Sequence, residues 1–185
     1  MTGGSRQLAL GRTGNLLGAL SLAVADRTTA AAGDALGQSE SAAVALSALH
    51  HFLEDPSVDL LGRVLGLTPS GTVRLVDRLQ EAGYVTRRPG RDGRSISVRL
   101  TASGRRAAER VSAARAEVLE DALSDLTPAE RRALDELVSR VLVGLVREPG
   151  ATRWTCRLCD TTACGRDAGR CPVANAARER FGTRA

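Results

Sequence analysis

The sequence predicts a mainly α-helical fold with one small β-hairpin, and three observations carry that expectation. Apolar residues make up 43% of the 185 but aromatics only 2%, so the core must be built from Leu, Val and Ala, a composition that favours helices. Most apolar residues recur at helical spacing, with capping residues and Pro or Gly at the boundaries. Only around residues 85–100 does the period change to two.

Residues 1–13 are Gly-, Ser- and Arg-rich and read as a flexible N-terminus. A first helix is expected over 14–37, with Leu16, Leu17, Leu20 and Val24 on one stripe. Its opening, Arg6 and Arg12 followed by "LLGALSLAVAD", also imitates a secretory leader with small residues at Ala23–Ala25. The helical reading is preferred, and no stretch is long enough to span a membrane. Ser39 can cap a second helix that ends before Pro56. His50 and His51, the only histidines, fall near its end, where interaction with the helix dipole is preferred to metal binding. "VDLLGRVLG" is a short third helix broken by Gly66.

The fourth helix opens with Thr68 as cap and Pro69 as its first residue, and Gly83 stops it. Val73, Val76 and Leu79 are expected to be its buried stripe. Ile96, Val98 and Leu100 then alternate with Ser97 and Arg99 as a strand, and Val85 opens its partner. "RPGRDGR" between them is turn chemistry. A long helix runs from about Thr101 to Leu126. The next starts at Thr127, with Pro128 following and Glu130 completing a capping box. Its stripe is Leu134, Leu137, Val138, Val141, Leu142 and Leu145. Pro149-Gly150 ends it.

Charge is distributed unevenly. The net is +5, and every basic residue is Arg. Residues 68–106 carry nine Arg against three acids, and the chain from 150 onward carries seven against three. A basic middle on an otherwise acidic body is the footprint of a nucleic-acid surface. A short helix, a turn and a capped helix form a helix-turn-helix, and an arginine-studded hairpin follows as a wing. Ser70, Thr72, Arg74 and Arg78, off the expected stripe, are the candidate DNA-facing residues of the helix. Arg88, Arg91, Asp92 and Arg94 are those of the wing, with Asp92 shaping the turn. Asp77 either orients a neighbouring Arg or is solvated. No catalytic triad or carboxylate pair stands out, so an enzyme is not expected.

From Leu16 to Val146 the chain resembles MarR-type winged helix-turn-helix regulators. The likeness is carried by "LTPSGTVRLVDRLQEAGYVTRRPGRDGRSISVRLTASG". Within it, "DGR" at Asp92–Arg94 matches the family's wing tip, and "LTASG" at Leu100–Gly104 its exit from the wing. The resemblance implies a cytoplasmic homodimer joined by its terminal helices, usually a repressor, often released by a small ligand or by thiol oxidation. The division expected is a regulator over 14–148, with a DNA-binding core at 39–104 and dimerisation helices at 14–37 and 101–148. Unburied stripes on the outer helices agree with pairing, and a two-fold dimer predicts a palindromic double-stranded operator.

Residues 150–185 form a cysteine-rich tail beyond the resemblance. All four cysteines lie here, as Cys156-x2-Cys159-x4-Cys164-x6-Cys171. Four thiolates suit a tetrahedral zinc site. The tail's apolar matter is little more than Trp154, Leu158 and Val173, so a metal would supply folding energy. Gly165 and Gly169 would let the backbone turn round it. Pro172 after the last cysteine also fits an iron–sulfur cluster, and the short loop is similar to that of redox-sensing MerR-type regulators, although the spacing differs. A thiol switch activated by the surrounding arginines is the third reading. Zinc is preferred, with iron–sulfur as the alternative. The centre would be structural or redox-sensing. Two further classes stay open: a non-DNA adaptor with a zinc knuckle, and, last, a thiol oxidoreductase on Cys156-x2-Cys159.

Overall fold

The computed structural model describes residues 11–90 and 95–182. Eight helices and two strands follow in the order α1 (Arg12–Leu36), α2 (Glu40–His51), α3 (Val58–Leu65), α4 (Pro69–Glu81), β1 (Val85–Pro89), β2 (Ile96–Leu100), α5 (Ala102–Ala122), α6 (Pro128–Leu145), α7 (Ala151–Thr155) and α8 (Pro172–Phe181). The mainly helical architecture with one hairpin is as expected. Residues 12–36, where a leader was the competing reading, form one helix.

The predicted boundaries hold where a cap fixes them. Thr68 accepts from the Gly71 N–H, and Pro69 starts α4. Thr127 and Glu130 form the reciprocal capping box of α6. Two helices end earlier than expected. α2 stops at His51 because the Leu53 N–H folds back to the Ala48 carbonyl, and the chain then passes through Asp55 at φ 44° on its way to Pro56. α5 stops at Ala122, where the Arg131 guanidinium donates to the Leu123 carbonyl at 3.0 Å and so caps the freed end.

The strands pair antiparallel in the register Val85↔Leu100 to Pro89↔Ile96. Ser57 makes an isolated bridge to Ser97, and the Val98 N–H donates to the Pro56 carbonyl, which fixes the hairpin against the start of α3.

One core joins α1, α2, α3, α4, the hairpin and α5. α2 lies at its centre, with Ala42, Ala43, Ala45, Leu46 and Ala48 buried. Alanines on facing helices, Ala32 of α1 and Ala107 and Ala108 of α5, permit close backbone approach. Leu61, Leu75, Val76, Leu79 and Val98 fill the space beneath.

A second, smaller core lies at the other end. Val146, Ala151, Val173, Ala174, Ala176 and Ala177 are buried there with Cys156 and Cys171, and Leu142, Val143 and Phe181 pack against them. This corrects the expectation that Trp154, Leu158 and Val173 were nearly all the apolar matter available. Trp154 is exposed and Leu158 only half-buried, whereas four alanines do much of the burying. α8 packs along α6, and Arg180 donates to the Val143 carbonyl at 3.0 Å, so the tail is fastened to α6.

Candidate nucleic-acid interface and thiol cluster

α3 and α4 cross where Gly62 meets Thr72. A Cβ built on Gly62 would lie 2.5 Å from Thr72 Oγ1, so only glycine allows the approach. Thr72 is 1% exposed, and its hydroxyl donates to the Thr68 carbonyl at 2.9 Å. It is therefore a packing residue, not a DNA-facing one. The buried stripe of α4 is Thr72, Leu75, Val76 and Leu79, at i, i+3, i+4 and i+7. The expected stripe began one residue late. Val73, assigned to the core, is 46% exposed.

With the stripe rotated, the outer face of α4 carries Ser70, Val73, Arg74 and Arg78, all exposed. Three of these were expected to face DNA. Val73 was missed because an apolar residue at helical spacing reads as core. An exposed valine among polar neighbours can meet a thymine methyl group in a major groove.

Arg87 of β1 is held to α4: it pairs with Asp77 at 2.7 Å and donates to Gln80 Oε1 at 3.2 Å. Asp77 thus orients an arginine, the first of its two expected roles, and the hairpin is braced against α4. Arg88 is exposed on the hairpin. Arg91, Asp92 and Arg94 lie outside the described residues. The Gly90 N–H donates to the Ser95 carbonyl at 2.8 Å, which closes the hairpin across the tip. At its exit, Thr101 caps α5 and donates to the Gly83 carbonyl at 2.7 Å, tying strand, helix and the end of α4 together.

The four cysteines converge in the second core. Cys156 and Cys171 are buried; Cys159 and Cys164 are half-buried. A turn with the Cys159 N–H on the Cys156 carbonyl forms the first knuckle. Gly165 and Gly169, at φ 62° and 68°, turn the chain back so that Cys171 can open α8. Asp160 steadies the intervening loop by accepting from the Thr162 and Ala163 N–H groups.

The thiols lie within electrostatic reach of one another, Cys156 of Cys159 and Cys171, and Cys164 of Cys159 and Cys171, and the Cys164 thiol donates to the Thr161 carbonyl at 3.4 Å. Interaction with Cys156 brings the Cys159 pKa down to about 6, aided by the positive charges of Arg115 and Arg166. The same interaction, with burial, pushes that of Cys156 up. Burial and the Cys171 charge raise Cys164. Among the described residues, no three His, Cys, Asp or Glu side chains are already grouped as metal ligands. The donor set for a soft metal is therefore present, but not as a formed coordination shell.

His51 sits at the junction of the two cores. Its Nε2 is 2.9 Å from Ser112 Oγ, its carbonyl accepts from the Thr161 hydroxyl at 3.2 Å, and Asp160 stands 4.0 Å from its Nδ1. Burial, then the neighbouring His50, lowers its pKa. It joins body and tail, a role that the dipole reading did not foresee. Beside it, a cavity of about 610 Å³ opens between the end of α2 and the tail, lined among others by Phe52, Pro56, Leu60, Arg153 and Arg166.

Residues 39–95 match the profile described as MarR family. No curated protein matches the chain. Among solved structures, a MarR-family transcriptional regulator from Silicibacter pomeroyi is 26% identical, with 75% of this chain and 96% of that one covered at a TM-score of 0.57. The Mycobacterium tuberculosis MarR family protein Rv2887 in complex with DNA is 24% identical, with 71% and 98% covered at a TM-score of 0.57. The same protein in complex with salicylic acid is 26% identical, with 71% and 96% covered at a TM-score of 0.55.

Proposed function

We propose that this chain, a transcriptional regulator of the MarR family, binds double-stranded DNA sequence-specifically as a homodimer and acts as a repressor. The observation that carries the reading is the outer face of α4. Ser70, Val73, Arg74 and Arg78 project from a helix whose other face is locked into the core, beside a hairpin braced through Arg87. A rigidly held helix with two arginines is suited to a major groove, where arginine reads guanine or holds phosphate. Rv2887 in complex with DNA supports the partner.

The dimer reading rests on uncovered apolar faces. Leu16, Leu17 and Leu20 of α1 and Leu137, Val138, Val141 and Leu145 of α6 are 43–59% exposed in the single chain, and no residue of α6 is fully buried. A second copy that covers these faces generates two-fold symmetry and hence a palindromic operator. The protein works in the cytoplasm. Among the described residues, no helix is long and apolar enough to cross a membrane. A small-molecule effector is supported by the salicylic acid complex of Rv2887 and by the cavity beside His51. The four cysteines hold a metal, zinc or iron–sulfur.

Selection from random duplexes tests this function. Enrichment of a palindrome bound by a dimer is expected; binding that never rises above non-specific affinity at low salt would instead favour an adaptor.

A further inference from the structure

One buried donor outside the DNA-binding face has no role in that reading. Arg115 of α5 is half-buried, yet its Nε is buried and has no hydrogen-bond partner among the described residues. A buried N–H left unpaired is costly, so its surroundings suggest what should satisfy it. One helical turn before it, Ser112 meets His51, whose carbonyl holds Thr161 of the cysteine loop. Arg115 therefore stands at the seam where the tail meets the body. Its positive charge acts on Cys159, as does that of Arg166 from the tail itself.

Building on the metal-site reading above, we propose that Cys156, Cys159, Cys164 and Cys171 close round one soft-metal centre, and that Arg115 is the positioning residue that ties this centre to the regulator body, so that metal occupancy governs tail docking and operator affinity. Each thiol that binds gives its proton to solvent and exchanges an S–H bond for a metal–sulfur bond. A tetrathiolate zinc and an oxidised four-iron cluster each carry a net charge of about −2. Either offers sulfur acceptors to the Arg115 Nε–H and a counter-charge to its guanidinium. Because the loop is held to the end of α2 through Thr161, and His51 there meets α5 at Ser112, its docking biases the elements that carry the recognition helix and the outer helices. Removal of the centre takes away the metal-held sulfur acceptors that would satisfy the Arg115 Nε–H and frees the seam.

The test uses the full chain purified without air. Metal analysis and the visible spectrum are recorded with zinc alone or with equal ferrous and ferric iron plus sulfide supplied. Stoichiometric zinc in a colourless protein, or iron and sulfide with visible charge-transfer absorption, supports the centre. A substoichiometric metal content from both sources overturns it. Chelation should raise amide exchange at residues 51–54 and 156–166 together and change operator Kd by about fivefold or more. In Arg115→Met the centre should remain, while the seam exchanges as in the metal-free protein and the operator response is lost. Arg115→Lys, which keeps the cation, should retain both. Unchanged seam protection and an unchanged response in Arg115→Met would refute the link. Should that variant not fold, Thr161→Val makes the same comparison from the tail side. Metal content and exchange require no DNA, so a failure to bind any duplex, loaded or stripped, defeats the regulator reading and leaves these readouts standing.

Discussion

Single atoms decide several positions. A Cβ at Gly104 would lie 2.0 Å from the Tyr84 carbonyl oxygen, a backbone atom that cannot swing away. Gly104→Ala should destabilise the protein by about 1–3 kcal/mol through overpacking, read as a lower urea midpoint with unchanged slope. Gly104 was visible in "LTASG", but the clash that explains it was not, because Tyr84 is twenty residues away in the chain. Glu130 offers a pH test. Its carboxylate accepts from the Thr127 hydroxyl and N–H, which lowers its pKa below the usual 4.5. The folded state therefore binds its proton less readily than the unfolded chain. The cap's contribution is present above about 4.5 and fades as pH falls through the lower folded value. Amide protection at the first turn of α6, taken relative to the intrinsic exchange rate at each pH, should fall on acidification in the wild type and be less pH-dependent in Glu130→Ala. An equal loss of protection in both proteins would remove the capping box from the explanation.

At the scale of elements, α4 shows how one residue rotates an interface. Val73 has the more apolar side chain, yet Thr72 is the buried one, because Thr72 can return its hydroxyl to the Thr68 carbonyl and fit against Gly62. Periodicity alone cannot see a polar side chain satisfied by its own helix. The outward face survives the rotation, since Ser70, Arg74 and Arg78 lie outside either stripe. Arg74→Ala and Arg78→Ala should each weaken operator binding, and the salt slope should fall by about one for each arginine that neutralises a phosphate. A variant at an arginine that reads a guanine would also lose discrimination at one base pair. Affinity and slope both unchanged in the double variant would place DNA elsewhere. Arg87→Ala should leave α4 folded but release the hairpin from Asp77 and Gln80, seen as faster exchange in β1.

For the whole molecule, assembly is the decisive question. α1 and α6 display leucines and valines that a monomer leaves in water, a patch of the kind usually covered by a partner. Leu137→Glu with Val141→Glu should convert a dimer to a monomer in sedimentation experiments while helical content is kept, and operator affinity should fall with it. A dimer that persists would move the interface off α6. The sequence alone determined the order of the first six helices, the capped starts at Thr68 and Thr127, the hairpin and the basic stretch, because these follow from local patterns of period, cap and turn, but it did not show the tail helices α7 and α8. It also placed four thiol donors within sixteen residues. Only the tertiary structure decided that Thr72 is buried and Val73 exposed, that alanines give the tail a core, and that His51 and Arg115 stand at its seam. Those outcomes depend on which surfaces meet across long stretches of chain, and no local pattern encodes such meetings.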